Sequence, residues 1–136
     1  MTISSIRKIE PIFTYEEFML ALCVWREGRG EPFLGQQYIA QVIRNRAADK
    51  NRWPNNIVDV ILQPYQFSAF NPEDPNATKF PKNTDPSWRK CCTAILPVPE
   101  VENDGANHYH VVGAKVTWDK NPKWSKVIGN HVFFRL

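Results

Sequence analysis

The sequence lacks the features that mark several common classes of protein. Its three cysteines are an odd number and give neither a disulfide framework nor the spacing of a zinc finger, so we expect buried, unbridged thiols. The net charge is only +3 and no run of basic residues is present, which argues against nucleic acid as a partner. No stretch is long enough to span a bilayer, and residues 1–11 contain no apolar signal region. We therefore expect neither stable membrane insertion nor a removable secretion signal.

Internal repeats and low-complexity tracts are absent as well. The chain of 136 residues is 43% hydrophobic and 12% aromatic, which is the size and composition of a domain with one core. Division into two domains would leave each half too small to bury a core. The prediction is one domain spanning residues 1–136.

The clearest local pattern lies between Thr14 and Glu27. Thr14 and Glu17 form a capping box, which is a signal for the start of a helix. All residues from Phe18 to Trp25 are apolar, and a helix that is apolar on every side is a buried one. Glu27 would lie at the end of this helix, where burial raises the pKa of a carboxyl group. A carboxyl group that stays protonated near neutral pH can act as the acid in glycosidic bond cleavage.

The segment after this helix has two interpretations. Gly28 or Gly30 could be the left-handed residue that ends the helix, with charged neighbours of no further role. Alternatively, Glu27 and Glu31 form a pair in which Glu27 is the buried acid and Glu31, next to Pro32, is its exposed partner. The distance between the two carboxylates would decide between inverting and retaining hydrolysis, and the sequence does not give it.

Helices are predicted in the first two thirds of the chain and strands in the last third. Residues 35–49 place Ile39, Val42 and Ile43 on one helical face, with polar side chains such as Gln36 elsewhere. A short helix follows a cap at Asn55 or Asn56, and Pro64–Pro86 is a proline-rich loop. Another helix begins at Asp85-Pro86 and turns four residues inward: Trp88, Cys91, Cys92 and Ile95. Residues 107–112 and 132–136 favour extended structure, so the fold class is α+β with short strands gathered at one edge.

Two further patterns could carry chemistry. His108 and His110 alternate on a strand, and with His131 they could hold zinc, although the pattern favours half-buried or substrate-facing strand residues over a metal site. Polar and aromatic residues alternate from Gln66 to Phe70, which suits either a saccharide-binding groove or a loop anchored on the core.

In its order of motifs the chain resembles the SleB-like cell wall hydrolase family, the spore-cortex-lytic enzyme type. The resemblance runs from about Phe18 to Arg135, and Gly28 stands where alanine is usual in the first motif. The segments that carry it are Glu27-Gly28-Arg29-Gly30-Glu31-Pro32 with Gly35-Gln36, Val42 to Arg46, Gln66-Phe67-Ser68, Gly105 to Tyr109, Pro122-Lys123-Trp124 and Ile128 to Phe134.

This resemblance implies a small lysozyme-like domain that cleaves peptidoglycan glycan strands between N-acetylmuramic acid and N-acetylglucosamine. The reaction it implies is that of a lytic transglycosylase, with Glu27 as catalytic acid and base and with no metal or other cofactor. The residues it implies for substrate binding are Gln66, Ser68, Tyr109 and His131, and we add Glu31 as the carboxylate nearest to Glu27 in the sequence.

Several alternatives remain at this point. Hydrolysis by a muramidase or glucosaminidase would need a placed water or a second carboxylate, and a non-catalytic peptidoglycan-binding module would not need Glu27 at all. A zinc-dependent amidase would depend on the histidines alone. We expect a monomer whose partner is peptidoglycan, and either holin-dependent release of a bacteriophage lytic enzyme from the host cytoplasm or a virion-associated enzyme.

Overall fold

A computed structural model describes residues 13–64, 66–98 and 101–136 of the chain. In this part of the chain, four α-helices precede a three-stranded antiparallel sheet, which is the α+β arrangement that the sequence predicts. No described helix has the length and apolar character needed to cross a membrane. The elements are α1 (Tyr15–Gly28), α2 (Phe33–Ala48), α3 (Ile57–Leu62), α4 (Pro86–Ala94), β1 (His108–Val111), β2 (Trp124–Ile128) and β3 (His131–Arg135).

Helix α1 is the central element of the hydrophobic core. It begins at the predicted capping box, in which the Thr14 hydroxyl accepts from the backbone N–H of Glu17 and the Glu17 carboxylate accepts from the backbone N–H of Thr14. Every residue from Met19 to Arg26 is buried, so the prediction of an all-round apolar, buried helix is confirmed. Helices α2, α3 and α4 all pack against α1.

The other helices begin close to the predicted positions. Asn56 caps α3 by accepting from the backbone N–H of Asp59, and Asp85 caps α4 by accepting from that of Ser87. Of the four residues expected to face inward from α4, three are buried, whereas Cys92 is only half-buried. One polar residue of α2 departs from expectation: Gln36 is fully buried, and its amide group donates to the carbonyl of Gly28.

The sheet has the order β1–β3–β2, so the last strand in the chain lies in the middle. Strand β2 is not predicted by the sequence, because its three central residues are all exposed and do not alternate between buried and exposed positions. The register pairs Tyr109 with Phe133 and Val111 with His131. Residues directly opposite each other in an antiparallel pair point to the same face, so Tyr109 and His131 share one face of the sheet.

The loop between α3 and α4 is fastened to the end of α1. Nε of Arg26 donates to the carbonyl of Lys79 at 3.1 Å, and its guanidinium lies over the ring of Phe70. Nη2 of Arg29 donates to Oδ1 of Asn76 at 3.1 Å. These contacts bring the loop, which contains single-turn 3-10 helices at Ser68–Phe70 and Pro75–Thr78, against the turn that carries Glu27.

Candidate active site

Glu27 lies in the last turn of α1 and opens into a cleft between that turn, the loop after α3 and the first strand. The cleft has a volume of about 290 Å³. Five of the six residues that the sequence analysis selected lie in or around it, although they come from four separate segments of the chain. Its lining residues are Glu27, Arg46, Gln66, Phe67, Ser68, Tyr109, His110, Val111 and His131.

The environment of Glu27 favours its protonated form. Burial raises the pKa of its carboxyl group from 4.5 to about 7, and the negative charge of Asp74 acts in the same direction. The hydroxyl of Tyr109 donates to Oε1 of Glu27 at 3.2 Å, which lowers the pKa but does not outweigh burial. A substantial fraction of Glu27 therefore carries a proton near neutral pH.

Strands β1 and β3 place Tyr109 and His131 beside this carboxyl group. The two rings meet edge to face with centroids 5.1 Å apart, as the strand register requires. Burial lowers the pKa of His131, and the nearby carboxylate of Glu31 only partly offsets this, so the imidazole is mainly neutral at neutral pH. Tyr109 thus contacts the candidate acid, and His131 supports the tyrosine ring.

The segment Gln66–Phe70 alternates between buried and exposed side chains. Phe67 and Ala69 are buried in the core, whereas Gln66 and Ser68 are exposed in the cleft. Phe67 and Ala69 therefore anchor the loop, and Gln66 and Ser68 line the cleft.

The predicted exposure of Glu31 is wrong. The residue is only 7% exposed and does not line the cleft. Both carboxylate oxygens are engaged, since the backbone N–H of Asn130 donates to Oε1 at 2.8 Å and its amide group donates to Oε2 at 2.9 Å. Burial alone would raise the pKa of Glu31, but these bonds and the proximity of His131 hold it below its ordinary value. Glu31 is an ionised structural group behind the cleft.

The turn between β2 and β3 explains how Glu31 becomes buried. Gly129 has a φ of +58°, and a Cβ at this position would lie 2.6 Å from Cδ of Pro32. Only glycine allows the turn to approach this closely. Nδ1 of His131 lies 3.2 Å from Oε1 of Glu31, within ion-pair distance. The end of the chain is thereby packed directly onto the first motif.

The left-handed cap at the end of α1 is also not observed. The left-handed glycines of the described residues are Gly105, Gly113 and Gly129, so neither Gly28 nor Gly30 has this conformation. Gly28 instead permits close packing, because a Cβ there would lie 2.7 Å from Cδ1 of Ile39.

The three histidines do not converge. His108 and His110 lie on the face of the sheet opposite to His131, because they pair with Phe134 and Val132 in the register. Nε2 of His110 lies 3.0 Å from Oδ2 of Asp119, and the His108 ring packs against Trp118. Within residues 13–64, 66–98 and 101–136, no three His, Cys, Asp or Glu side chains are grouped as metal ligands.

Arg46 is the lining residue that the sequence analysis left without a role. It follows Ile39, Val42 and Ile43 at helical spacing, so it falls on the apolar face of α2. A cation on a core-facing stripe was the signal that could have identified it. Its side chain is only 6% exposed.

A second cavity, of about 330 Å³, lies between α2 and the segment that follows α4. It is larger than the cleft but shares no lining residue with it, and it contains no carboxylate. Of these two cavities, only the cleft is lined by a carboxylate, that of Glu27.

Fold and cleft together define an α+β domain with one buried carboxyl group at the end of a core helix. The Cell Wall Hydrolase family matches residues 30–134, a range that begins just after Glu27 and covers most of the chain. The chain belongs to this family and is an enzyme domain of it.

Solved structures of the same fold include two catalytic domains. That of the germination-specific lytic transglycosylase SleB from Bacillus anthracis has a TM-score of 0.68 and 28% identity, over 93% of this chain and 100% of that chain. That of the Bacillus cereus SleB protein has a TM-score of 0.67 and 28% identity, over 93% of this chain and 95% of that chain.

Curated relatives are spore cortex-lytic enzymes. The enzyme of Halalkalibacterium halodurans is 29% identical over 115 residues, which are 85% of this chain and 33% of that protein. The enzyme of Bacillus subtilis is 45% identical over 51 residues, which are 38% of this chain and 16% of that protein. The chain spans a third or less of the length of these relatives.

Proposed function

We propose that this domain cleaves the glycan strands of peptidoglycan between N-acetylmuramic acid and N-acetylglucosamine as a lytic transglycosylase. In this proposal Glu27 is both the acid and the base of the reaction. The observation that carries it is that Glu27 is the only carboxylate among the described residues that line the cleft. The family and the lytic transglycosylase named among the structural neighbours support the same reaction class.

The state of the nearby carboxylates supports a mechanism with one acidic group. Hydrolysis with two carboxylates needs a second one that faces the scissile bond. Glu31 is turned toward Asn130, and Oδ1 of Asp74 accepts from the backbone N–H of Asn76 at 2.8 Å. Neither carboxylate is among the lining residues, so the position of a hydrolytic base is unfilled in the described cleft.

The reaction then runs with Glu27 alone exchanging protons. Its carboxyl proton moves to the bridging oxygen while the bond to muramoyl C1 breaks and the electron pair leaves with that oxygen. The muramoyl ring passes through an oxocarbenium-like state. The C6 hydroxyl then attacks C1 and gives its proton to the Glu27 carboxylate, which forms a 1,6-anhydro ring and restores the acid. The Tyr109 hydroxyl, bonded to Oε1, leaves Oε2 to carry the transferred proton.

The alternatives are less well supported by the arrangement of the site. A non-catalytic module would have no reason to keep a buried carboxyl group with a raised pKa. A zinc-dependent amidase would need the histidines that the sheet separates onto two faces. Hydrolysis by a muramidase or glucosaminidase remains the alternative that product analysis must separate.

The decisive experiment is mass analysis of the muropeptides released from purified sacculi. We expect products ending in 1,6-anhydromuramic acid, which are lighter by one water than reducing ends. Reducing N-acetylmuramic acid ends alone would contradict transglycosylation, and reducing N-acetylglucosamine ends would place the cut at the other bond.

A further inference from the structure

The side chain of Arg46 is a buried cation that faces the cleft without a counter-charge. Burial lowers the pKa of its guanidinium to about 10, so the group is still charged at neutral pH. Within the described residues, no carboxylate lies at ion-pair distance from it. A buried charge without a partner is strongly penalised, so such a group points to a ligand that supplies the missing charge.

The contacts of Arg46 leave one edge of the guanidinium available. Nε donates to the carbonyl of Asn107 at 2.7 Å, and Nη1 donates to Oε1 of Gln66 at 3.3 Å. The group is stacked between the rings of Trp53 and Phe67, at 5.1 and 5.4 Å from their centroids. No described residue bonds to Nη2. The two N–H groups of Nη2 and the second N–H of Nη1 therefore remain for a planar acceptor, and a carboxylate is an acceptor that a guanidinium binds with two parallel bonds.

We propose that Arg46 binds a carboxylate of the glycan substrate and thereby determines which saccharide lies beside Glu27. This inference rests on the proposed function, since it assumes that peptidoglycan glycan is the substrate. In that polymer, N-acetylglucosamine is neutral, whereas N-acetylmuramic acid carries a lactyl carboxyl group or the acidic peptide attached there. A cation at one fixed place in the cleft can therefore distinguish the two sugars and select one of the two glycosidic bonds.

The test measures binding to the cleavage-deficient Glu27→Gln protein by calorimetry. The ligands are peptide-free glycan strands with free lactyl carboxylates, and the same strands after conversion of these groups to neutral methylamides. Charge-assisted hydrogen bonds lead us to expect about 10- to 100-fold weaker binding of the amidated strands. In Glu27→Gln/Arg46→Met, both ligands should bind with nearly the same, weakened affinity.

Arg52 provides a matched control. Its guanidinium lies 4.3 Å from the centroid of Trp53, the same ring that Arg46 stacks on, but Arg52 is exposed and does not line the cleft. Glu27→Gln/Arg52→Met should therefore keep the full preference for charged strands. A preference lost equally in both variants would show a general charge effect and would overturn the proposal.

Additional ligands and variants distinguish the remaining outcomes of the binding experiment. Strands that retain their peptides show whether Arg46 binds the lactyl carboxylate or a carboxylate of the peptide. If they bind as weakly as the amidated strands, the lactyl carboxylate is the ligand. If they bind as tightly as the acidic strands, a peptide carboxylate is the ligand. If Arg46→Met does not fold, Arg46→Lys retains the charge without the bidentate edge and should show a reduced preference. Equal binding of acidic and amidated strands to the Glu27→Gln protein would refute the role of Arg46 alone. Failure to bind any glycan strand would refute the proposed function itself.

Discussion

Replacement of Glu27 by glutamine separates catalysis from stability. In the folded protein the pKa of Glu27 is about 7 instead of 4.5, which means that its ionised form costs the folded state about 3 kcal/mol. Glutamine has nearly the same shape and cannot ionise. The substitution should therefore remove the cost of ionisation and keep the packing around the end of α1.

The sign of the effect follows from proton binding. Below pH 4.5 the carboxyl group is protonated in both the folded and the unfolded chain, and Glu27→Gln should have little effect. As the pH rises from 4.5 to about 7, the unfolded chain loses its proton first and the wild-type protein is progressively destabilised. At pH 8 the variant should be more stable by up to about 3 kcal/mol, or roughly 10 °C in melting temperature.

Activity should change in the opposite direction. Since the amide has no acidic proton to donate, the rate of lysis of sacculi, monitored by turbidity, should fall by about 100- to 10,000-fold. Thermal melts at pH 4 and pH 8 accompany the assay on the same preparations. A variant that lyses normally would refute the acid role, and one that is less stable at pH 8 would refute the account of its burial.

Glu31→Gln is the matched control for this prediction. Glu31 is ionised and accepts two hydrogen bonds from Asn130, so its pKa lies below the ordinary value. Its contribution to stability is present at neutral pH and is lost as the pH falls through the folded-state pKa. We expect Glu31→Gln to be less stable at pH 7, in contrast to Glu27→Gln. If the two variants behaved alike, the distinction between acid and structural carboxylate would be untenable.

Three further predictions concern pH, metal and the turn before β3. Wild-type activity should decrease above about pH 7 as Glu27 ionises. Tyr109→Phe should shift this decrease to higher pH, because loss of the hydroxyl removes a hydrogen bond that lowers the pKa of Glu27. A decrease at unchanged pH would contradict this role of Tyr109. Activity should persist after treatment with a strong chelator, and recovery dependent on added zinc would argue for the amidase. Gly129→Ala should be more destabilising in urea titration than Gly113→Ala, by about 1–3 kcal/mol, since both glycines have positive φ but only Gly129 meets Pro32; equal effects would exclude the steric contact.

Local signals in the sequence predicted the helices well. The capping box at Thr14 and Glu17 and the caps at Asn56 and Asp85 involve residues within a few positions of each other, and all are observed. Strand β2 depends on a partner rather than on its own pattern, because its middle residues Ser125–Val127 are exposed. A strand that depends on pairing with distant residues is harder to predict from its own sequence pattern.

In the site, too, features set by nearby residues were predicted better than features set by distant ones. The position of Glu27 followed from the apolar helix before it, and its raised pKa has the predicted cause, burial. Glu31 was expected to be exposed because it follows two glycines and precedes Pro32, but Asn130, in the turn that buries it, lies 99 residues further along the chain. Arg46 shares the helical face of Ile39, Val42 and Ile43, but its charge is typical of a solvent-exposed residue. Assembly of the cleft from four segments was suggested by family resemblance alone.

The position of β3 in the sheet has a consequence for biosynthesis. Strands β1 and β2 make their sheet contacts through β3, and Asn130 and His131 at its start complete the surroundings of Glu31 and Tyr109. During translation these residues leave the ribosome after all of α1 to β2. The helices can collapse around α1 earlier, whereas the sheet cannot form until β3 has emerged. The ribosome-bound chain therefore contains Glu27 well before the strands that complete the cleft around it are available.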